Sequence, residues 1–193
     1  METINFKKRE YTIIKKLSNN KLHVRYKDKD YVIVPFNNYT NFSLYLGHKK
    51  VLAKAKVEMC KILKKDKKAF LILEEFIHGE IATKIIAENR LEKKYYEELF
   101  RVFRNNRFAK IALNYKPENF VFHRKNFYYL SDEVMKYDKD ISFEKTDDIL
   151  LWMSTKEAKQ YCEKHNYAYV DRYLYKEGGE LNKQLALLCV SFW

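Results

Sequence analysis

Glycine and proline are scarce in this chain, with 4 glycines and 2 prolines among 193 residues. Long irregular loops depend on both residues, so their scarcity predicts short connections between long helices and strands. Cysteine is also sparse: Cys60, Cys162 and Cys189 lie far apart and form no Cys-x-x-Cys pair. This pattern excludes a disulfide-rich scaffold and indicates buried free thiols. The histidines have no spacing typical of a zinc site, so we expect no structural metal.

Long apolar runs are missing as well. No stretch of about eighteen apolar residues occurs, and residues 1–9 lack the apolar core of a signal peptide. We therefore expect no membrane segment and a cytoplasmic, intracellular protein. The chain is nevertheless 47% hydrophobic, which excludes a wholly disordered protein and allows one substantial core or two small lobes.

Acidic residues are too few to balance the basic ones, and the formal net charge is +12. Such an excess attracts polyanions, so a nucleotide, a nucleic acid or an acidic protein would each suit it as a partner. Arg101, Arg104 and Arg107 have helical spacing and would lie along one side of a helix. That row would be either an anion-binding edge or an ordinary solvent-facing stripe.

The first part of the chain favours an antiparallel meander followed by a helix. Three short runs of mixed apolar and polar residues lie at 11–17, 21–26 and 30–36. The turn-forming segments 18–20 and 27–29 separate them. From residue 42 to residue 63 the apolar positions follow a helical repeat, and residues 90–103 form a second amphipathic pattern.

The most specific motif is Lys116-Pro117-Glu118-Asn119, followed by an aromatic strand, a polar turn, a second strand and Asp132. A hairpin between Asn119 and Asp132 would bring its two ends together. An Asn oxygen and an Asp carboxylate are hard ligands that suit Mg²⁺, and a nearby Lys can reach a transferring phosphate. This spacing therefore predicts a cradle for a metal-bound phosphate.

The motif resembles the protein-kinase catalytic loop, His-Arg-Asp-Leu-Lys-Pro-Glu-Asn, and the Asp-Phe-Gly segment that follows it. The resemblance implies ATP and Mg²⁺ as ligands, with Asn119 and Asp132 on the metal and Lys116 on the phosphate. The catalytic Asp of the family is replaced here by Asn114, which could orient an acceptor hydroxyl but has no carboxylate to take its proton. The resemblance also implies that residues 69–81 are a strand running into a hinge, where the backbone of Glu75 and Ile77 would face the adenine. An ordinary core strand that ends at a glycine turn is the alternative.

The sequence lacks two further features of the kinase family. The turn 18–20 contains no glycine where the family has a glycine-rich loop, and the third strand contains no Lys. Glu58 corresponds to the ion-pairing Glu of the regulatory helix, and Arg25, Lys27 or Lys54 could replace its absent partner. An ordinary surface Glu is the alternative identity of Glu58.

Together these features predict an α+β, small bilobal, protein-kinase-like fold. Residues 1–77 would form an N-lobe with an antiparallel sheet and one helix, and residues 78–193 a truncated, mainly helical C-lobe. The predicted function is that of a degenerate kinase, or pseudokinase, that binds Mg-nucleotide and acts by binding a protein partner. The alternatives are an active atypical ATP-dependent kinase, acting on serine or threonine or on a small molecule, and a basic nucleic-acid-binding module.

Overall fold

The computed structural model describes residues 2–17, 20–88, 90, 92–138 and 152. The described residues belong to two compact units: the first is Met1–Leu52 with Met59–His78, and the second is Ala53–Glu58 with the chain from Gly79 onward. The strands are β1 (Thr3–Phe6), β2 (Arg9–Lys16), β3 (Leu22–Tyr26), β4 (Lys29–Pro35), β5 (Ile62–Asp66), β6 (Leu71–Glu75), β7 (Glu80–Ile81), β8 (Ile111–Leu113), β9 (Phe120–His123), β10 (Asn126–Tyr129) and β11 (Val134–Lys136). The helices are α1 (Tyr39–Lys54), α2 (Ala82–Ala87) and α3 (Lys93–Phe108).

The first unit is built on an antiparallel sheet in the order β1-β2-β3-β4-β6-β5. A tight turn at Lys27 and Asp28, both with positive φ, joins β3 to β4 and sets their pairing, in which Tyr26 faces Lys29. The meander predicted from the alternating pattern is confirmed, and the α+β class with it. The sequence did not predict β1, which pairs with the start of β2.

Alternation along the strands places apolar side chains on both faces of this sheet. On one face Ile33 and Leu73 pack with Phe6, Tyr11 and Val24. On the other face a second cluster contains residues of β4 and β6 together with the buried side of α1: Val32, Val34, Ile72, Phe42 and Tyr45. The central strands of the unit are therefore apolar on both sides, as their near-continuous hydrophobic runs indicate.

Helix α1 is shorter than the sequence predicted. It ends at Lys54, and Lys56 takes a left-handed φ of 57° that cannot continue a helix. The predicted C-terminal end near residue 63 is wrong because Ile62 and Leu63 belong to strand β5. Two neighbouring apolar residues fit a helical repeat and a strand equally well, so the pattern alone did not separate the two elements.

The second unit combines α3 with short antiparallel pairs. Strands β9 and β10 form a hairpin, β7 pairs with the outer side of β9, and β8 pairs with β11. The predicted strand, turn and strand after Asn119 are confirmed, and so is a helix before the motif, although it spans Lys93–Phe108 and not 90–103. Buried aromatic residues fill the core of the unit: Phe103, Phe120, Phe127, Tyr129 and Trp152.

Two further expectations concern the end of the chain and the membrane. For the truncated C-lobe the sequence predicts a helix that starts at 146–152 and a final helix at 181–192, and both lie outside the described residues apart from Trp152. Among the helices that the structure describes, none is long and apolar enough to cross a bilayer.

Candidate functional site

The hairpin of β9 and β10 brings the backbone of Asn119 next to the backbone of Leu130. Tyr129 is paired with Phe120, and beyond that pair the backbone N–H of Leu130 donates to the carbonyl of Asn119 at 2.8 Å. Asp132 follows Leu130 by two residues and is half-buried. Asn119 and Asp132 therefore leave the hairpin at the same end, as the sequence predicted from their spacing.

The side chain of Asn119 has a fixed orientation. Its Nδ2 donates to the carbonyl of Asn114 at 3.2 Å, so the Oδ1 is the end of the amide that can ligate a cation. A 3-10 turn at Pro117–Asn119 holds the residue in place, because the N–H of Asn119 donates to the carbonyl of Lys116 at 2.9 Å. Lys116 itself is exposed.

Tyr129 connects the start of the motif with the segment after the hairpin. Its buried hydroxyl accepts the backbone N–H of Asn114 at 3.1 Å and donates to the carbonyl of Glu133 at 2.9 Å. Burial raises the pKa of the Tyr129 hydroxyl to about 12, so this group stays protonated and can donate throughout the neutral range.

Asn114 contacts a carboxylate from the neighbouring segment. Strands β8 and β11 pair so that Leu113 faces Val134, and the next pair in this register is Asn114 and Glu133. The Nδ2 of Asn114 donates to Oε2 of Glu133 at 2.7 Å, and the Oδ1 of Asn114 accepts the N–H of Lys116 at 3.3 Å. Glu133 is exposed. The sequence did not predict this contact, because it depends on the register of two distant strands.

Buried side chains form hydrogen bonds with Tyr115, the residue directly before Lys116. The indole Nε1 of Trp152 donates to the carbonyl of Tyr115 at 2.7 Å, and the Tyr115 hydroxyl accepts the Nδ2 of Asn106 at 3.0 Å. All three side chains are buried. The backbone before Lys116 is therefore held in place from the core side.

The residues present at this end of the hairpin fit a magnesium ion that is bound mainly by its nucleotide. Within the described part of the chain, no group of three or more His, Cys, Asp or Glu side chains could hold a metal on its own. Mg²⁺ keeps several waters and phosphate oxygens and takes only one or two protein ligands in such sites. Asn119 and Asp132 carry side-chain oxygens of the type that such a site uses.

The predicted hinge residues lie at the end of the first unit. The backbone N–H of Glu75 donates to the carbonyl of Lys61 at 3.0 Å, and its Oε1 accepts the N–H of Lys61 at 2.9 Å. The amide of Glu75 is thus engaged within the sheet and could not serve an adenine, which corrects part of the expectation. Ile77 lies outside any strand and is half-buried.

Glu58 does not lie on the helix where the kinase resemblance would place it. Glu58 lies beyond the end of α1, and its carbonyl accepts the N–H of Tyr129 at 2.8 Å. Two of the proposed replacement cations are engaged elsewhere: Arg25 donates to Asp30 at 2.9 Å, and the ammonium of Lys27 lies 5.6 Å from the ring centre of Tyr26. Lys54 is exposed at the last position of α1.

The buried ion pair of the first unit is instead Lys49 with Glu74. Their Nζ and Oε1 atoms are 3.0 Å apart, and Lys49 also donates to the carbonyl of Cys60 at 3.1 Å. The hydroxyl of Tyr45 donates to the same Oε1 at 2.7 Å. The cation is on the helix and the acid on the strand, the reverse of the arrangement that the kinase resemblance implies. Lys49 shares a helical face with Phe42, Tyr45 and Leu52, and this interruption of an apolar stripe was the available signal.

The arginine row on α3 does not form a continuous anion-binding edge. The guanidinium of Arg101 donates through Nε and Nη2 to both carboxylate oxygens of the buried Glu98, at 2.6 and 2.7 Å. Arg104 and Arg107 do not share this contact with Glu98 and are partly or fully exposed. Arg101 is therefore engaged within the helix.

Comparison of the sequence with protein-family models gives no match, and comparison with curated proteins gives none either.

Proposed function

We propose that this protein is kinase-like and binds a magnesium nucleotide through Lys116, Asn119 and Asp132. The observation that carries the proposal is the 2.8 Å bond from the Leu130 N–H to the Asn119 carbonyl, which closes the hairpin between the two metal-ligand positions. The orientation of the Asn119 amide supports it, since the Nδ2 is held by the Asn114 carbonyl and the Oδ1 is directed elsewhere.

Each residue has one role in this proposal. The Oδ1 of Asn119 and the carboxylate of Asp132 ligate Mg²⁺, which neutralises part of the charge on the phosphates. The ammonium of Lys116 contacts the terminal phosphate as a point charge. The bilobal arrangement and the kinase ancestry belong to the same proposal.

The replacement of the loop Asp by Asn114 favours a pseudokinase, in which the nucleotide stabilises the fold and the biological role is the binding of a protein partner. An active atypical kinase is the alternative. A third candidate, binding of nucleic acid, is favoured by the exposed lysines around β5: Lys61, Lys64, Lys65, Lys67 and Lys68. Binding that weakens steeply with added salt would support this candidate, and indifference to both RNA and DNA at low salt would exclude it.

Nucleotide binding is tested by thermal unfolding. ATP or ADP with Mg²⁺ or Mn²⁺ at millimolar concentration should raise Tm, because a ligand at about 100 times its Kd adds about 2.7 kcal/mol to the free energy of unfolding. Asp132→Ala should abolish the metal-dependent part of this rise. Glu118→Gln, which removes an exposed carboxylate of the same turn, should leave the rise intact. The absence of any rise with the unmodified chain would reject the proposal.

A further inference from the structure

We propose that strand β5 is the docking edge for a protein partner, whose extended acidic segment adds to the sheet as a further strand. The inference rests on the protein-binding role in the proposed function and does not depend on the nucleotide. Strand β5 (Ile62–Asp66) is the last strand in the order β1-β2-β3-β4-β6-β5. In the described part of the chain it pairs with β6 alone, so its other edge is open to pairing.

The register of β5 shows which backbone groups face that open edge. In an antiparallel pair only alternate residues exchange hydrogen bonds with the neighbouring strand. The N–H of Glu75 donates to the carbonyl of Lys61 at 3.0 Å, so every second residue of β6 from Glu75 back to Leu71 bonds toward β5. Lys65 pairs with Ile72, which lies between those residues, and its N–H and carbonyl therefore point away from β6. These are the groups that an added strand bonds.

Lysine side chains on both faces of the sheet determine which charge this edge accepts. Lys64 pairs with Leu73 and Lys65 with Ile72, so the two lysine side chains lie on opposite faces, and both are exposed. Like charges opposite each other destabilise a sheet, whereas opposite charges stabilise it. A second copy of β5 would bring lysines close to lysines. An added strand with Asp or Glu at the facing positions is therefore the favoured occupant.

The turn after β5 increases the positive charge of the same edge. The Oδ1 of Asp66 accepts the N–H groups of Lys68 and Ala69 at 3.0 and 3.1 Å, so the one acid of this segment is engaged in closing the turn. The exposed lysines of the segment are Lys61, Lys64, Lys65, Lys67 and Lys68. Their charge attracts an acidic chain before main-chain pairing forms.

Two features favour a peptide strand over a nucleic acid at this edge. Residues 61–69 contain no aromatic residue and no Arg, whereas proteins hold single-stranded nucleic acids largely by stacking bases on aromatic rings. Leu63 lies between the lysines and is 46% exposed, so it offers an apolar contact to a side chain of an added strand. Main-chain bonds for affinity and side-chain contacts for specificity are the usual components of strand addition.

The experiment measures the Kd of a fluorescein-labelled peptide, Glu-Thr-Glu-Glu-Val-Thr-Glu, by fluorescence anisotropy at low salt and without nucleotide. One control peptide has Gln in place of every Glu. The other keeps its charge but carries N-methyl groups on its internal amides, which block main-chain pairing. Each control should bind more weakly than the parent peptide by about tenfold or more. An N-methylated peptide that binds as tightly as the parent would overturn the inference.

Charge reversal tests the lysines of the edge. Lys64→Glu/Lys65→Glu should weaken binding of the parent peptide by about tenfold or more. The matched control is Lys15→Glu/Lys16→Glu, which reverses two adjacent exposed lysines of β2, a strand that lies between β1 and β3. Because distant surface charges are screened, this control should change the Kd by less than about threefold. Equal effects of the two double variants would show that binding follows net charge alone and would overturn the inference.

Hydrogen exchange locates the bound peptide. The amide of Lys65 should exchange more slowly with the parent peptide bound, because its N–H then donates to the peptide backbone. An oligothymidylate that binds more tightly than the peptide and leaves this exchange unchanged would overturn the inference in favour of nucleic acid. Failure of the parent peptide to bind at millimolar concentration would overturn it as well. A chain that binds the peptide but shows no rise of Tm with MgATP would retain this docking edge and lose only the nucleotide site.

Discussion

The ammonium of Lys49 lies 3.0 Å from Oε1 of Glu74, and side-chain exposures of 6% and 0% show that both groups are withheld from solvent. A buried carboxylate without its cation is strongly destabilising, whereas removal of both partners of such a pair is much better tolerated. Lys49→Met should therefore lower the free energy of unfolding by about 3 to 5 kcal/mol. The double variant Lys49→Met/Glu74→Leu should recover most of that loss, as measured by urea denaturation.

A matched lysine variant on the same helix provides the control for this prediction. Lys50→Met changes the next residue of α1, which is exposed, and should alter stability by no more than about 0.5 kcal/mol. If the double variant were less stable than Lys49→Met alone, Glu74 would be stabilising through Tyr45 and not through the ion pair.

The location of this pair shows what the sequence could predict and what it could not. The meander was predictable because alternation with period two and short polar turns are local signals. Lys49 and Glu74 each interrupt an apolar pattern, but their pairing depends on how α1 packs against the sheet. No local sequence pattern predicts that packing. The kinase resemblance implies an ion pair for Glu58 instead, because Glu58 lies within the predicted helix.

For the candidate site, too, the sequence predicts the local features but not the contacts between distant segments. Asn119 and Asp132 were identified from the motif, and the hairpin between them was predicted from its aromatic strands and polar turn. Glu133 was not identified, because its contact with Asn114 arises from the pairing of β8 with β11 across an interval of the chain that contains a whole hairpin. Strand register of this kind is set by tertiary packing and not by composition.

Glu98 joins α3 to strand β10 within the second unit. Its Oε1 accepts the backbone N–H of Phe127 at 3.1 Å in addition to the bonds from Arg101. Glu98→Ala leaves that buried N–H without its acceptor, so the free energy of unfolding should fall by about 1 to 3 kcal/mol. Arg101 is 39% exposed and can be rehydrated, so loss of its ion pair should add little.

Glu98→Gln separates the two contributions. The Gln side-chain oxygen can still accept from Phe127, so this variant should be destabilised less than Glu98→Ala in the same denaturation experiment. Glu97→Ala, one position earlier and exposed, should stay within about 0.5 kcal/mol of the unmodified chain. Equal losses for the Ala and Gln variants would show that the charge pair with Arg101 matters more than the bond to β10.

Cys60 should make stability depend on alkaline pH. Burial raises the pKa of its thiol from 9.0 to about 11, with the Glu74 carboxylate contributing in the same direction. The folded state therefore holds this proton to higher pH than the unfolded state does. The resulting stabilisation is complete below pH 9 and is lost as the pH rises toward 11.

The measurement compares the free energy of unfolding at pH 8 and pH 10.5 in a chain carrying Cys162→Ser and Cys189→Ser. A pKa difference of one between the two states corresponds to about 1.4 kcal/mol, so Cys60 should account for a loss of about 1 to 2 kcal/mol. Cys60→Ala in the same background should show a correspondingly smaller fall. An identical pH dependence with and without Cys60 would contradict the prediction.

Gly47 and Gly79 should respond oppositely to replacement by Ala, since one has space for a methyl group and the other does not. A Cβ at Gly47, within α1, would meet no atom within 4 Å. A Cβ at Gly79 would lie 2.6 Å from the carbonyl oxygen of Phe122, where backbone would have to shift. Gly47→Ala should therefore raise the free energy of unfolding by about 0.5 to 1 kcal/mol, because Ala loses less conformational entropy in a helix. Gly79→Ala should lower the free energy of unfolding, because β9 would be displaced from β7. An unchanged Tm for this variant would show that a methyl group fits between Gly79 and β9.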